Sequence, residues 1–259
     1  MAESTFRPAL LVVDMQEDFC PPSGSLAVTL GRSLTPLINH LLTSSVLHLR
    51  VATQDWHPPN HISFASNHLA VGSKQPFVDS ITIVHPDDPS KQYTTRLWPV
   101  HCVANTPGAA LIPELSSHLF DIIIKKGQDP RVEMYSAFYD PLRVSYSGLG
   151  DALRAKSITH VYVVGLAGDY CVRNTAVDAS TEGFVTYIVE EGTKCVFPDG
   201  WAAVKKEMEQ TSNVKVVSVD GPEVGRLFPS VVPGTVSASF APLAASFFTS
   251  DETAPATAA

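Results

Sequence analysis

The stretch Gly165-Leu166-Ala167-Gly168-Asp169-Tyr170-Cys171-Val172 decides how the chain is read. The run before it, His160-Val161-Tyr162-Val163-Val164, is β-branched and aromatic and reads as a buried strand. The segment after it, Arg173-Asn174-Thr175-Ala176-Val177-Asp178-Ala179, reads as the start of a helix. Cys171 therefore stands at a strand-to-helix turn, where free backbone N–H groups and the helix dipole favour a thiolate. A lone cysteine is more often a small buried apolar side chain. Its role depends on what the other strands deliver to the same place.

Upstream, Ala9-Leu10-Leu11-Val12-Val13 is a continuous apolar run of the kind buried on both faces of a parallel sheet, and it ends at Asp14. Leu30 to Leu42 carries leucine and isoleucine at helical spacing, and Val46 to Thr53 reads as a second strand leading into Asp55-Trp56-His57-Pro58-Pro59. Residues 60–105 lose all periodicity and are expected to form a long irregular, functional excursion. Pro107 to Leu119 is expected to be helical, with proline in its first turn. Asp121 to Gly127 gives a third strand; a second irregular stretch carries Glu133 to Phe138, and Leu149 to Ser157 a short helix. Downstream come a strand at Phe184 to Val189, a helix around Ala202 to Gln210 and a strand at Val214 to Val219. Strands alternating with helices imply an α/β fold, a central and mostly parallel six-stranded sheet covered on both faces. Residues 1–226 are expected to form this domain. Residues 227–259 are rich in Ser, Thr, Ala and Pro and are expected to be a mobile tail, with Phe240 to Leu243 and Phe247-Phe248 as segments able to dock.

Composition narrows the partners. The 259-residue chain, 44% hydrophobic and 17% charged, is long enough to bury a substantial core. Its net charge of −8 argues against nucleic acid or an anionic membrane. Cys20, Cys102, Cys171 and Cys195 show no metal or scaffold spacing, and neither a leader nor a membrane-spanning run is visible. A cytoplasmic location with free thiols is the expectation, with nucleus or peroxisome left open. A homo-oligomer is left open.

The reactive residues fall at strand ends. Asp14 closes strand one, Asp55 and His57 follow strand two, Lys126 closes strand three and Cys171 follows strand four. In an open parallel sheet these ends share one edge, where ligands bind. Asp14 or Lys126 alone reads as a solvated surface charge. Together with Cys171 they make a different set: a carboxylate able to take the thiol proton and a lysine favouring both ionised forms. Side-chain alternation puts Lys125 and Lys126 on opposite faces without saying which points inward. In Asp55-Trp56-His57 the carboxylate and imidazole share a face if the backbone is extended, so they could meet one divalent ion, Zn²⁺, Fe²⁺ or Mn²⁺. The third ligand is His101, which closes the excursion, or His61, four residues beyond His57.

These segments resemble the nicotinamidase family of the isochorismatase-like cysteine hydrolases, close to its fungal type. The likeness is carried by Val12 to Phe19, Asp55-Trp56-His57-Pro58 with His61-Ile62-Ser63-Phe64-Ala65, Leu97 to Cys102, Tyr135-Ser136-Ala137-Phe138 and Gly165 to Val172, in family order over residues 9 to 220. The resemblance implies a three-layer α/β/α fold that hydrolyses nicotinamide to nicotinate and ammonia in NAD salvage. It implies Asp14, Lys126 and Cys171 as the catalytic triad and Asp55, His57 and His101 as ligands of one divalent metal, zinc first. It further implies a cis peptide at Leu166-Ala167, the N–H groups of Ala167 and Cys171 as the oxyanion site, and Phe19, Trp98 and Tyr170 as walls for the ring. Gly168, where relatives often carry a side chain, and the charge of Asp169 are departures. A carbamoyl amidase or isochorismatase would share the triad without needing the ligand set. A metal-water amidohydrolase would need the ligands and not the thiol. A phospho-receiver domain would need an aspartate pair where the chain has Asp14-Met15 and an aspartate where it has Lys126.

Overall fold

The computed structural model describes residues 5–71 and 73–229. In chain order the elements are β1 (Pro8–Val13), α1 (Thr35–Leu42), β2 (Leu49–Asp55), β3 (Ser80–His85), β4 (Asp88–Arg96), β5 (Ile122–Lys126), α2 (Leu149–Ala155), β6 (His160–Leu166), α3 (Arg173–Thr181), β7 (Val185–Lys194), α4 (Trp201–Thr211), β8 (Lys215–Val217) and α5 (Pro222–Gly225). Six of the strands make one sheet in the order β5-β2-β1-β6-β7-β8, and every pairing in it is parallel.

Strand alternation sorts the core into two layers. Leu10 and Val12 of β1 and Tyr162 and Val164 of β6 face α1, packing with Leu37, Ile38, Leu41 and Leu42. Ala9, Leu11 and Val13, with Val161 and Val163, face the other way onto Leu149 and Leu153 of α2, Ala176 and Ala179 of α3 and Met208 of α4. The apolar runs were continuous because both faces are covered. Burying a leucine on either side is worth about 1.5–3 kcal/mol.

The topology sets the functional edge. From β1 the chain builds outward through β2 and β5, then crosses back to lay β6, β7 and β8 on the other side. The crevice at the carboxyl ends of β1 and β6 is the switch point of the sheet, where such folds bind ligands.

Four local expectations differ. Residues 60–105 contain an antiparallel ribbon, β3 paired with β4, rather than irregular chain alone. Its strands are mostly exposed, with Ile83 and Thr95 the buried members, so no apolar alternation marks them. Pro107 to Leu119 is not a helix; it holds two single 3₁₀ turns, Pro107–Ala109 and Ser117–Leu119. Pro113 cannot donate to a helical ladder. The segment instead bonds across to the end of β1, with Glu17 N–H on Ala110 O at 3.0 Å and Ile112 N–H on Met15 O at 3.0 Å. The helix expected from Leu30 begins as a 3₁₀ turn, Gly31–Leu34, and becomes α-helical at Thr35. Leu227 and Phe228, assigned to the tail, are packed: Leu227 O accepts the Ser44 hydroxyl at 2.5 Å and Phe228 stacks on His40 at 4.7 Å. Phe240 to Leu243 and Phe247-Phe248 lie outside the described residues. Among the described residues, no helix is long and apolar enough to cross a membrane.

Candidate active site

Asp14 leaves β1 with φ 49°, a left-handed conformation that aspartate tolerates better than most residues. Thr53, on β2, fixes it twice: the Asp14 N–H donates to the Thr53 oxygen at 3.1 Å, and the Thr53 hydroxyl donates to Asp14 Oδ1 at 2.5 Å. Lys126, the last residue of β5, turns inward and is 1% exposed. Lys125 takes the opposite face and lies 3.5 Å over the Trp56 ring. The Lys126 ammonium sits 3.0 Å from Asp14 Oδ2, 2.5 Å from Asp55 Oδ1 and 3.4 Å from Cys171 Sγ. Cys171 is held in a π-turn, Gly168–Val172, that leads into α3. Asp14, Asp55 and Cys171 offer atoms within 4.8 Å of one another. The Leu166-Ala167 peptide is cis, as the resemblance implied.

Two carboxylates thus share one ammonium, and their surroundings drive them apart. Burial raises the Asp14 carboxyl against the opposing pull of Lys126. Asp55 is also buried, yet Lys126 and His57 together hold it well below the ordinary carboxylate range. Burial would depress Lys126, but Asp14 and Asp55 keep it firmly charged. Burial pushes the Cys171 thiol well up, Lys126 only partly opposing. Asp14 and Asp55 are thus shifted in opposite directions, the kind of separation by which neighbouring carboxylates can take different acid/base roles.

The second cluster starts at the end of β2. Gln16 pins Asp55 by accepting its N–H at 2.8 Å and donating to its carbonyl at 2.9 Å. Nε2 of His57 lies 3.5 Å and Nε2 of His101 3.9 Å from Asp55 Oδ2. Each ring is anchored through Nδ1 to a backbone carbonyl at 2.8 Å, His57 on Gly127 and His101 on Pro99. A proton on Nδ1 leaves the Nε2 lone pair free to ligate. Gly127 has φ 65°, and a Cβ there would lie 2.4 Å from His57 Cε1, so only glycine permits this anchoring. Asp55 raises His57 despite its burial, while burial lowers His101 to about 3. Nε2 of His57 is buried without a hydrogen-bond partner, and the three ligand atoms lie within 4.8 Å of one another. This donor set fits one divalent cation.

His101, not His61, joins Asp55 and His57. His61 stacks on His57 at 4.0 Å and gives Nδ1 to Ser63 Oγ at 2.7 Å; with His57 and Glu133 it forms a second group that could hold a metal. Glu133, 2% exposed and raised by burial, went unassigned from the sequence, as did Thr53 and Gln16. Thr53 alone had a usable signal, since it shares the face of Asp55 two residues on.

The clusters meet in a small pocket lined by Phe19, Trp98, Tyr170, Ala167, His101 and Cys171 among others. Trp98 and Tyr170 meet edge to face at 4.8 Å, and the Trp98 indole N–H donates to the Tyr135 hydroxyl at 2.8 Å. The pocket is walled by aromatic rings and bordered by both Cys171 and His101.

An isochorismatase domain is recognised over residues 8–220. A nicotinamidase of Acinetobacter baylyi is 43% identical over 192 residues, 74% of this chain and 83% of the relative. The crystal structure of the yeast nicotinamidase bound to the inhibitor nicotinaldehyde is 35% identical with a TM-score of 0.75, covering 82% of this chain and 99% of that one. The pyrazinamidase of Pyrococcus horikoshii in complex with zinc is 33% identical with a TM-score of 0.63, covering 82% and 99%. With the sheet order, the cysteine turn and these matches in agreement, the chain belongs to the isochorismatase family.

Proposed function

We propose that this protein is a nicotinamide amidohydrolase, releasing nicotinate and ammonia through a thioester on Cys171. The observation that carries this reading is the single ammonium of Lys126, within 3.4 Å of Cys171 Sγ and bridging Asp14 and Asp55. It joins a nucleophile to a ligand set inside one aromatic-walled pocket. Relatives with the same fold are nicotinamidases.

Asp14 takes the Cys171 proton as sulfur attacks the carboxamide carbon, and Lys126 offsets the negative charge left among the three groups. The tetrahedral oxyanion rests on the N–H groups of Ala167 and Cys171. Asp14 then gives its proton to the departing amine, and ammonia leaves. Water attacks the thioester, Asp14 accepts its proton, and Cys171 is regenerated as nicotinate departs. Phe19, Trp98 and Tyr170 hold the ring in plane. Asp55, His57 and His101 would hold one divalent ion, zinc in this reading with Fe²⁺ or Mn²⁺ as alternatives, which would supply a Lewis-acid contact for the pyridine nitrogen. Cys20, Cys102, Cys171 and Cys195 are all free, which supports work in a reducing cytoplasmic compartment.

Ammonia release from nicotinamide by purified protein, before and after stripping with a strong chelator, tests the proposal. Release that falls on stripping and returns with Zn²⁺ supports both clusters. Release indifferent to stripping demotes Asp55, His57 and His101 to structure. No release in either state moves the substrate to another small carboxamide.

A further inference from the structure

Asp169 is the charged member of the nucleophile turn that the reaction above does not use. Its carboxylate accepts the N–H of Val196 at 2.9 Å through Oδ1 and that of Phe197 at 2.8 Å through Oδ2. Two consecutive backbone donors gripped by one side chain fix both the position and the tilt of the loop after β7. Val196 lines the pocket. Phe197 lies just outside it, 39% exposed, with its ring 6.3 Å from that of Tyr170.

Arg96, the last residue of β4, reaches the same spot from the opposite side. Its guanidinium lies 4.8 Å over the Phe197 ring, donates to the Phe77 carbonyl and bears electrostatically on the Tyr170 hydroxyl. Arg96 stands two residues before the wall residue Trp98. Three distant segments, the ribbon, the cysteine turn and the loop after β7, are therefore tied together at one rim. Each contributes a pocket-lining side chain, Trp98, Tyr170 and Val196 respectively.

We propose that Asp169 and Arg96 are positioning residues that clamp the Val196-Phe197 loop against Tyr170 and so set the size of ring the pocket admits. A planar guanidinium suits this place because it can lie over the Phe197 ring while its edge N–H groups donate to the Phe77 carbonyl, a geometry a point-like ammonium matches less well. Asp169 holds the loop from the inside and Arg96 from the outside. Losing either lets Val196 and Phe197 swing from the rim.

The size limit takes its substrate from the nicotinamidase reading; access to Cys171 does not depend on that reading. Arg96→Gln, Arg96→Lys, Phe197→Ala and Asp169→Asn would each be compared with the parent, with fold and metal content checked first. The first readout is the labelling rate of Cys171, followed by peptide mass spectrometry, with iodoacetamide and with a bulky aryl maleimide. The second is kcat and KM for nicotinamide and for its 5-methyl derivative. Arg96→Gln and Phe197→Ala should raise the bulky-to-small labelling ratio and the relative kcat/KM for the methylated amide, each by about ten-fold. KM for nicotinamide should rise several-fold while kcat stays within about three-fold. Asp169→Asn should move in the same direction by less, since one acceptor oxygen remains, and Arg96→Lys should not restore the parent. Unchanged ratios in folded variants would overturn the clamp, as would a uniform loss of kcat on both amides. If the parent fails to hydrolyse nicotinamide, the substrate falls while the labelling ratio still decides the clamp.

Discussion

The thiol half of the pocket and the histidine half are built by different means. Asp14, Lys126 and Cys171 hang from the ends of β1, β5 and β6, so the parallel ladder itself sets their spacing. In the other half Asp55 comes from β2, but His101 arrives only after the whole excursion and its ribbon. It is registered by two backbone bonds, His57 N–H to Cys102 O at 3.0 Å and Ala104 N–H to His57 O at 2.8 Å. The first half is framework and the second is an attachment to it. The two meet at Lys126 and Asp55, among the described residues the one buried ion pair that spans them.

That contrast can be broken experimentally. Cys171→Ala should cut kcat by about 10⁴-fold or more while metal content, read by mass spectrometry of the purified protein, stays at the parental level. A variant that loses its metal as well would mean the halves are not separable. Lys126→Met should strike both halves. It leaves two buried carboxylates without their cation, so unfolding in urea should show a loss of about 3–5 kcal/mol, alongside abolished turnover. Parental stability would mean that Asp14 and Asp55 find other partners.

His101→Ala should weaken metal binding by about a hundred-fold in chelator competition while the labelling rate of Cys171 is kept. A parallel fall in labelling would show that the framework half depends on the attachment. The smallest effect concerns pH. Burial places the Cys171 thiol well above its ordinary range, so the free protein holds it protonated at neutrality. Alkylation of Cys171 should therefore climb by about ten-fold per pH unit between pH 6.5 and 8.5 without a plateau. A plateau at or below neutrality would show a resting thiolate and remove the need for Asp14 as base.

The same division explains what the sequence disclosed. Strand ends were legible because runs such as Ala9 to Val13 are buried on both faces and stop at a polar residue, so Asp14, Lys126 and Cys171 could be grouped on one edge. Which of Lys125 and Lys126 points inward was not, because a local pattern sees alternation and not the layer above. The ribbon of β3 and β4 escaped because it lies on the surface with few buried positions to give it a period. The helix expected at Pro107 to Leu119 failed for the opposite reason: its apolar residues follow a helical period, but their backbone bonds go to Met15 and Glu17. The choice between His101 and His61 hung on how the excursion closes, which is a tertiary fact. Glu133 stands in an aperiodic stretch with nothing local to distinguish it from a surface acid. The clamp on Phe197 joins residues from three segments, and only the folded chain brings Asp169 and Arg96 to one loop.

The most direct test of the account is a rapid acid quench of the protein turning over nicotinamide, followed by peptide mass spectrometry. The account predicts a nicotinoyl adduct on the peptide carrying Cys171, formed in the parent and missing from Cys171→Ala. Steady ammonia release with no adduct at any quench time, or release that persists in Cys171→Ala, would contradict it and hand the chemistry to the other half of the pocket.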